Sequence, residues 1–446
     1  MATLINATLL LLASTVALVP LLWRKQSSWL DPMVLFGGTV FVWGFGKYLF
    51  LTFSKPVDGL PAWAIAADLQ NGVLAISLFC LAAIVAYVAT RSAAGAPKPV
   101  AAQATLDMRI IYFASMILTL ISLSAFVAIL YSPDIAISWD AISAKRFLDS
   151  DLGPAARVGS IEYLLYKATL MARVPLYAIL VGVLLRRKAH ALDTVLLTVN
   201  FLCIFVVAFI FSNRFNLLLG FVDMAAIAAV FVRRIISPRF VLLGLGVFAA
   251  MILASELRMG EGRDRSVLEH IYEGRYFADV ERTDKVIDYY ETAEHLHGKT
   301  LYGWLFIALP SSYGDGGEAF LNMGWNIGYH VFGLKMSGVP PGFIGELYMN
   351  FGSMGILIGG LLFGIVSAYV AMRLHDRSKI SWLAVLLALI AIRVGLVLFN
   401  GNLGTAMIKI ALEALPAAFL IWVATRSWVS RRARIGSAQY SEAQGH

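Results

Sequence analysis

Cationic side chains and one glutamate lie, by their positions in the sequence, near one end of a set of apolar segments. Arg393, Lys409 and Lys167 each fall within roughly 10 Å of the same predicted membrane surface, counting about 1.5 Å per residue from the segment ends. Arg214 lies in a short NRF turn at that level, and Glu346 stands about one turn into another apolar run. Charges inside apolar segments usually face the bundle interior or a wet cavity. The pattern therefore predicts an anion-binding site at this level.

The chemistry favoured by these residues is the binding of a diphosphate and the cleavage of a bond to it. Arginine keeps its charge and offers a fork of donors that matches phosphate oxygens. Fixed cations also lower the barrier when negative charge develops on a diphosphate leaving group. We predict this role for Arg214, Arg263, Arg265, Arg393 and Lys409.

Glu346 is the first candidate for the base that an attacking hydroxyl group needs within hydrogen-bonding reach. The alternative is that Glu346 only forms a hydrogen bond to the backbone, or pairs with a lysine, and so fixes the ninth span. The histidines predicted on the outer side are further candidates for the base: His270, His295, His297 and His330.

The composition places these residues in a membrane. Apolar residues make up 59% of the 446 positions and charged residues 14%, and the apolar residues form blocks about 20 long, enough for a helix to cross a bilayer. The blocks lack the period-two alternation of a β-barrel. We predict an all-α polytopic membrane protein with about eleven spans. The predicted spans are 6–23, 30–53, 65–90, 110–131, 164–185, 192–212, 215–232, 240–257, 342–372, 381–399 and 403–425.

Lysine and arginine residues in alternate short loops predict the orientation, because cytoplasmic loops collect them. The N terminus is then outside, 91–109 is a cytoplasmic linker, and 132–163 is an outer loop. A much larger outer loop is predicted to contain short amphipathic helices, one of them at 267–272. The net charge of +8 is mostly topological and does not imply nucleic acid. The predicted division is an N-terminal bundle of about eight helices (1–257), the large outer loop (258–341), about three C-terminal helices (342–425) and a basic cytoplasmic tail (426–446).

Other charges and small residues receive structural interpretations. Arg173 and Asp223 fall at similar mid-depth and are predicted to pair, and Glu413 lies one turn below Lys409 on one helix face. The ninth span is predicted to begin abruptly after two prolines, which are tolerated at a helix start. Its glycines give a smooth flank that another helix or a lipid chain can approach. These prolines and glycines are Pro340, Pro341, Gly342, Gly345, Gly352, Gly355, Gly359 and Gly360.

Three sequence stretches carry a resemblance to a known family. GVPPGFIGELYMNFGSMGILIGG, NRFNLLLG and LRMGEGRDR, with the surrounding span pattern, resemble the O-antigen polymerases, the Wzy-type oligosaccharide repeat-unit polymerases of bacterial envelopes. Family members carry an arginine followed after ten residues by glycine in outer loops. Arg263 and Gly274 have this spacing, whereas the position at this distance from Arg146 is Arg157.

The resemblance implies a GT-C-like membrane glycosyltransferase in the bacterial inner membrane, with its active site facing the periplasm. It implies transfer of a glycan from a polyprenyl-diphosphate carrier to the non-reducing end of another lipid-linked repeat unit, and a chain-length regulator as a possible partner. The catalytic candidates are Glu346, Arg263 and Arg214. The substrate-binding candidates are Arg265, Arg146, Arg393, Lys409, Lys167, Asn350, Tyr348 and His270.

We favour a metal-free mechanism without a cofactor. Asp149 and Asp151 form an Asp-x-Asp, which some membrane glycosyltransferases use to hold a divalent metal, but paired acids are common in loops. Cys80 and Cys203 fall inside spans, so neither predicts a disulfide or a metal site.

Two other functions remain open. An O-antigen ligase has a similar bundle and outer loop but transfers glycan to a lipid A core. A transporter or flippase of a lipid-linked sugar is the non-enzymatic alternative. Transporters often show inverted repeats and interrupted helices near the midplane, and the sequence shows neither clearly.

Overall fold

The computed structural model describes twelve parts of the chain: residues 2–23, 29–53, 66, 68–94, 106–131, 168–210, 214–232, 279–306, 323–324, 326–333, 339–376 and 381–426. Within these ranges the chain forms helices and turns, with no strand, which confirms the all-α prediction for this part of the chain. The predicted span 240–257, the outer loop 132–163, the helix at 267–272 and the tail from 427 lie outside the described residues.

Seven of the described helices are long and apolar enough to cross a membrane. They are Ala2–Pro20, Pro32–Phe53, Gln70–Ala93, Met108–Ala128, Ala168–Arg186, Gly342–Leu374 and Leu403–Arg426. Three more apolar helices are shorter: Ala191–Val207, Leu218–Phe231 and Ser381–Val397. These ten helices coincide in position with ten of the eleven predicted spans, and seven of them meet the length of a span. The described chain is thus consistent with a polytopic membrane protein.

We number the helices in chain order by their regular α-helical parts. They are α1 (Ala2–Ser14), α2 (Pro32–Thr39), α3 (Gln70–Ala93), α4 (Met108–Leu130), α5 (Arg173–Arg186), α6 (Ala191–Ile210), α7 (Arg214–Val232), α8 (Val280–Thr292), α9 (Lys299–Gly303), α10 (Gly342–Asp376), α11 (Ser381–Ile392) and α12 (Leu403–Lys409). Short π-helical turns extend α2, α11 and α12.

The buried apolar side chains form two large clusters. The first joins α1, α2, α3 and α10, and the second joins α4, α5, α6 and the helical residues 414–424 that follow α12. Both α7 and α11 contribute to each cluster, so these two helices connect the halves of the bundle. A third, smaller cluster joins α8 to Met323, Ile327 and Met349. We call the end of the bundle that carries α8 and residues 295–306 the loop side.

The long helix α10 is interrupted at Gly352, whose φ of 62° and ψ of −153° are not helical. The ring centroids of Phe343 and Phe363 lie 5.9 and 5.5 Å from that of Phe79. The two rings are therefore at most about 11 Å apart, whereas a continuous helix would separate these residues by about 30 Å. Residues 342–351, which we call the half-helix, fold back against the helix that follows. The prediction of one continuous span over 342–372 is wrong in these ten residues.

Glycines allow the close contacts on both sides of this hairpin. A Cβ atom added at Gly360 or Gly364 would collide with backbone carbonyl groups of α3. A Cβ atom added at Gly355 or Gly359 would instead collide with Leu347 of the half-helix. The smooth glycine flank predicted from the sequence is therefore used for helix packing, and part of it receives the chain's own half-helix.

We expect Gly352→Ala to destabilise the protein, because a side chain at a positive φ of this kind costs on the order of 1–3 kcal/mol. The added Cβ would also lie 3.4 Å from Nε2 of His295. Thermal unfolding of the purified variant in detergent measures the effect. Gly220→Ala is the matched control, since a Cβ at that helical position meets no atom within 4 Å. Equal unfolding temperatures for both variants would contradict the account of the hinge.

Helix α8 is amphipathic and packs across the loop side. The side chain of Asp279 accepts the backbone N–H of Arg282 at 2.9 Å and so caps the helix start. Its buried face includes Val280, Val286 and Ile287, which recur at helical spacing. This helix therefore covers the end of α3 and one side of the half-helix.

Candidate functional site

Glu346 is fully buried in the half-helix. Its Oε2 atom accepts a hydrogen bond from the backbone N–H of Leu403 at 2.7 Å. Leu403 begins α12, and N–H groups at a helix start lack a partner within the helix and carry partial positive charge. The side chain of Asn402 accepts the N–H of Thr405 at the same helix start. The structural alternative for Glu346, a backbone hydrogen bond that fixes helices, is thus observed.

The second carboxylate oxygen of Glu346 is placed differently. Oε1 is buried and receives no hydrogen bond of good geometry from the described residues, although the Thr300 hydroxyl group lies close to the carboxyl group. A carboxylate can accept about four hydrogen bonds. Glu346 therefore keeps acceptor capacity that a hydroxyl group from outside the chain can use.

Asn350, one turn after Glu346, attaches the half-helix to the loop segment 295–300. Its side-chain amide donates to the Thr300 hydroxyl oxygen and to the Glu346 carbonyl oxygen, each at 2.7 Å. Its Oδ1 accepts the N–H of Gly298 at 2.9 Å. Gly298 has a φ of 87°, a conformation that favours glycine. The segment 295–300 is therefore attached to the half-helix next to the buried carboxylate.

Tyr348 and His295 form the more accessible side of this site. Their ring planes are nearly perpendicular, with centroids 5.8 Å apart. The Nδ1 atom of His295 has no hydrogen-bond partner among the described residues. We define the candidate site as Glu346, Tyr348, Asn350, His295 and Thr300.

A second polar cluster lies inside the bundle, between the two large apolar clusters. Arg393 donates through both terminal nitrogens, to Asp223 and to Glu413. Arg173 donates to the other oxygen of Glu413, and the Tyr177 hydroxyl group donates to Asp223. Arg173 and Asp223, which the sequence predicts to neutralise each other, both belong to this network, and Asp223 interacts electrostatically with Arg173. We call these five residues the buried network.

Arg393 has contacts that the sequence does not predict. The sequence predicts Arg393 inside the bundle as part of a diphosphate site, and the structure buries it completely beside Asp223 and Glu413. Arg393 begins the π-helical turn Arg393–Val397, and Glu413 lies in another, Ile410–Ala414. Such turns change the direction in which side chains point relative to a regular α-helix. Because its donors already hold two carboxylates, the arrangement does not leave Arg393 poised for a diphosphate.

Lys409 and Lys47 each contact a glutamate. Lys409 lies 3.9 Å from Glu413 through its Nζ atom, on one helix face as expected, and its side chain is 12% exposed. Lys47 forms an ion pair of 3.2 Å with Glu281 of α8. Lys47 therefore ties α8 to the membrane helices on the loop side.

Most of the predicted cationic site falls on parts of the chain outside the described residues. This applies to Arg146, Lys167, Arg263, Arg265 and His270. Arg214 is described only as the first residue of α7. The structure therefore brings together the predicted residues Glu346, Tyr348 and Asn350, and their relation to these cations remains a prediction.

Sequence reasoning missed Thr300, Gly298 and the hydrogen bond to Leu403. A signal for the helix start at Leu403 was available. The polar pair Gly401-Asn402 separates two apolar runs, which is typical of a helix cap at Asn402. His295 is one of four histidines that the sequence predicts on the outer side. Its contact with Tyr348 depends on the fold-back at Gly352, which no local pattern reveals.

Among the described residues no three His, Cys, Asp or Glu side chains form a group that could hold a metal ion. Asp149 and Asp151 lie outside these residues. The metal-free mechanism therefore remains a prediction.

The carboxyl group of Asp284 on α8 is the clearest titratable group near the site. Burial, with the nearby charges of Asp288 and Asp68, raises its pKa to about 6, although it accepts the N–H of Gly72 at 2.7 Å. Its folded-state pKa thus exceeds the ordinary value of 3.8. The protonated carboxyl group of Asp284 therefore contributes to the free energy of unfolding. This contribution is complete below pH 4 and is lost as the pH rises through about 6.

We expect Asp284→Asn to raise the unfolding free energy at pH 7.5 by about 1 kcal/mol, because the amide keeps an acceptor for Gly72 and carries no buried charge. The gain should vanish at pH 4, where the wild-type carboxyl group is largely protonated. Unfolding temperatures measured at both pH values test this. Glu294→Gln, at an exposed acid beyond the end of the same helix, should show no such difference between pH 4 and 7.5. A loss of stability in Asp284→Asn at pH 7.5 would show that the ionised carboxylate is favourable.

Comparisons with known proteins add no family assignment: no family model, curated protein or solved structure matches the chain. The class that the fold defines is an α-helical membrane protein with several apolar helices. Within that class, the described site consists of a buried carboxylate next to a loop segment that is anchored to a re-entrant half-helix.

Proposed function

We propose that the protein is a GT-C-like membrane glycosyltransferase that polymerises lipid-linked oligosaccharide repeat units on the periplasmic side of the bacterial inner membrane. The observation that carries this proposal is the candidate site. The half-helix carries the buried Glu346 carboxylate and, one turn later, the Asn350 amide that binds Gly298 and Thr300 of the segment 295–300. The sequence resemblance to O-antigen polymerases centres on the same stretch, 338–360.

The proposed reaction transfers a glycosyl group from polyprenyl diphosphate to a sugar hydroxyl group. The acceptor oxygen attacks the anomeric carbon, the bond from that carbon to the diphosphate oxygen breaks, and the polyprenyl diphosphate leaves with the bonding electrons. Oε1 of Glu346 takes the proton of the acceptor hydroxyl group. Arg214, Arg263, Arg265 and Lys409 are proposed to stabilise the negative charge on the diphosphate.

Full burial of Glu346 sets a condition on this mechanism. The acceptor hydroxyl group can reach Oε1 only when the segment 295–300 moves from its position next to the carboxylate. The segment is attached through Asn350 and through the bond from the Leu296 N–H to the Met349 carbonyl oxygen at 2.9 Å. The proposal therefore includes opening of these bonds as the acceptor enters.

A transporter of lipid-linked sugars is the second candidate, and the half-helix is the observation that favours it. Interrupted membrane helices whose half-helix ends point at an anionic substrate are common in transporters. No interruption of this kind is clear in the sequence, whereas the structure shows one at Gly352.

Reconstitution with purified lipid-linked repeat units tests these functions. The purified protein in liposomes should convert the units to a ladder of longer glycans without any other protein. Transfer that depends strictly on an added lipid A core would instead indicate a ligase. Movement of the units across the bilayer without new glycosidic bonds would indicate a transporter, and either result would contradict the polymerase proposal.

A further inference from the structure

An exposed aromatic surface lies on the loop side. Tyr289 of α8 is 36% exposed and Tyr329 is 44% exposed, and His330 is also exposed. The His330 ring centroid lies 4.9 Å from that of Tyr329 and 6.3 Å from that of Tyr289. These contacts make the three rings one continuous surface, which we call the aromatic platform.

The aromatic platform is mounted on a small apolar core. The buried ring of Tyr290 contacts that of Tyr289 edge to face at 5.1 Å. Tyr290 packs in the third cluster with Ile327 and Met349. Tyr329 and His330 belong to the π-helical turn Ile327–Val331, so their backbone is held by the same core. Rigid aromatic side chains lose little conformational entropy on binding, which suits them to recognition.

Two exposed carboxylates lie on the same helix as Tyr289, on the side that faces Asn71. Asp288 and Glu291 both accept hydrogen bonds from the side-chain amide of Asn71, at 2.9 and 3.3 Å. Each carboxylate is thereby oriented and keeps further acceptor capacity. Tyr348 of the candidate site packs against the same third cluster as Tyr290 and Ile327. The aromatic platform and the candidate site therefore share one apolar core.

We propose that the aromatic platform, together with Asp288 and Glu291, binds the sugar residues of the glycan, and that it takes neutral or amine-bearing sugars. The inference rests on the proposed function, since it assigns the place of the glycan relative to the candidate site. The apolar C–H face of a sugar ring packs on aromatic rings, and carboxylates accept hydrogen bonds from sugar hydroxyl or amine groups.

The charge of this surface selects against the other ligands that aromatic rings at a membrane surface can bind. The carboxylates of Asp288 and Glu291 disfavour a diphosphate or an anionic lipid head group. Surfaces that bind anionic lipids carry clusters of lysine or arginine instead. Lys285 on the same helix pairs with Glu281 at 3.0 Å, and Lys47 contacts the same carboxylate. These two lysines carry +2 against −3 for Glu281, Asp288 and Glu291, so the group has a net charge of −1.

A glycan array tests this inference with the full-length protein in lipid nanodiscs. The array carries neutral, amino and acidic bacterial oligosaccharides, and the strongest binder is then titrated. The wild type should bind neutral or amino oligosaccharides, and Tyr289→Ala combined with Tyr329→Ala should weaken that binding about tenfold. Tyr369→Ala is the matched control: Tyr369 is 51% exposed but lies on α10, near Arg373, and its loss should leave binding unchanged.

Two conservative variants test the roles of the aromatic ring and of the carboxylate separately. Tyr289→Phe keeps the ring and should retain binding, which separates loss of stacking from loss of folding. Asp288→Asn should reduce the preference for amino sugars over acidic ones. The inference fails if the wild type binds no oligosaccharide, prefers acidic ones, or binds through residues other than the platform. Because the array requires no transfer, a polymer ladder with no glycan binding would refute the platform alone, and binding with no ladder would refute the polymerase alone.

Discussion

Replacement of Glu346 by glutamine should lower the rate of chain extension by a factor of about 100 or more, the usual contribution of a positioned general base. The amide oxygen of glutamine can still accept the hydrogen bond from the Leu403 N–H, so the start of α12 should keep its cap. The rate is measured as glycan ladder length against time with purified lipid-linked repeat units.

The controls for this variant separate catalysis from structure. Asn402→Ala removes the other side-chain cap at the same helix start, which should lower stability by about 1 kcal/mol and leave the rate per folded molecule close to that of the wild type. Unfolding temperatures of all three proteins identify any loss of folding. Near-normal extension by Glu346→Gln would restrict Glu346 to the structural role that its bond to Leu403 already shows.

Replacement of Arg393 by methionine should destabilise the protein by roughly 3–5 kcal/mol, because it leaves carboxylates buried without their partner. Arg393 holds both Asp223 and Glu413, and all three side chains are buried. We expect a large fall in the unfolding temperature in detergent, or failure to express.

A compensated variant tests whether charge balance is the cause. The double variant Arg393→Met, Asp223→Leu removes one positive and one negative charge and should recover a large part of the lost stability, since apolar replacement of a buried ion pair is often nearly neutral. Arg373→Met is a matched control at a cation that contacts the Tyr369 ring and should change stability little. If the double variant were less stable than Arg393→Met alone, charge balance would not explain the buried network.

The membrane helices were predictable from the sequence because their signal is local. Blocks of about 20 apolar residues are needed for a helix to cross lipid, and ten of the predicted blocks correspond to apolar helices. The aligned glycines that pack α10 on α3 were also visible, since close helix approach requires small residues at regular spacing.

The fold-back at Gly352 was not predictable in the same way. Residues 342–372 are mostly apolar, and a mostly apolar run has the same composition whether the helix continues or reverses. The reversal depends on one positive φ and on space at Gly355 and Gly359 for Leu347. A cluster of four glycines within nine residues, from 352 to 360, was the available signal, and it indicated only a smooth surface.

The charged residues inside the apolar segments were also predictable only in part. Their presence in apolar segments correctly indicated that they face one another inside the bundle. The proximity of Lys409 to Glu413 was predicted and is observed. The contacts of Arg393 with Asp223 and Glu413 were not predicted, because depth counted along regular helices ignores the π-helical turns at Arg393 and Glu413. Glu346 illustrates the limit most clearly: its position at a helix start was visible, but its bond to Leu403 joins residues 57 positions apart.

Photo-crosslinking tests the location of the site most directly. A lipid-linked repeat unit with a photoreactive group on its first sugar is irradiated with the purified protein, and the labelled peptides are mapped by mass spectrometry. We expect labels in 295–306 and in the half-helix, reduced by an excess of unmodified repeat units. Labels confined to the opposite end of the bundle, with none near Glu346, would contradict the proposal that sugar transfer takes place beneath the outer loop.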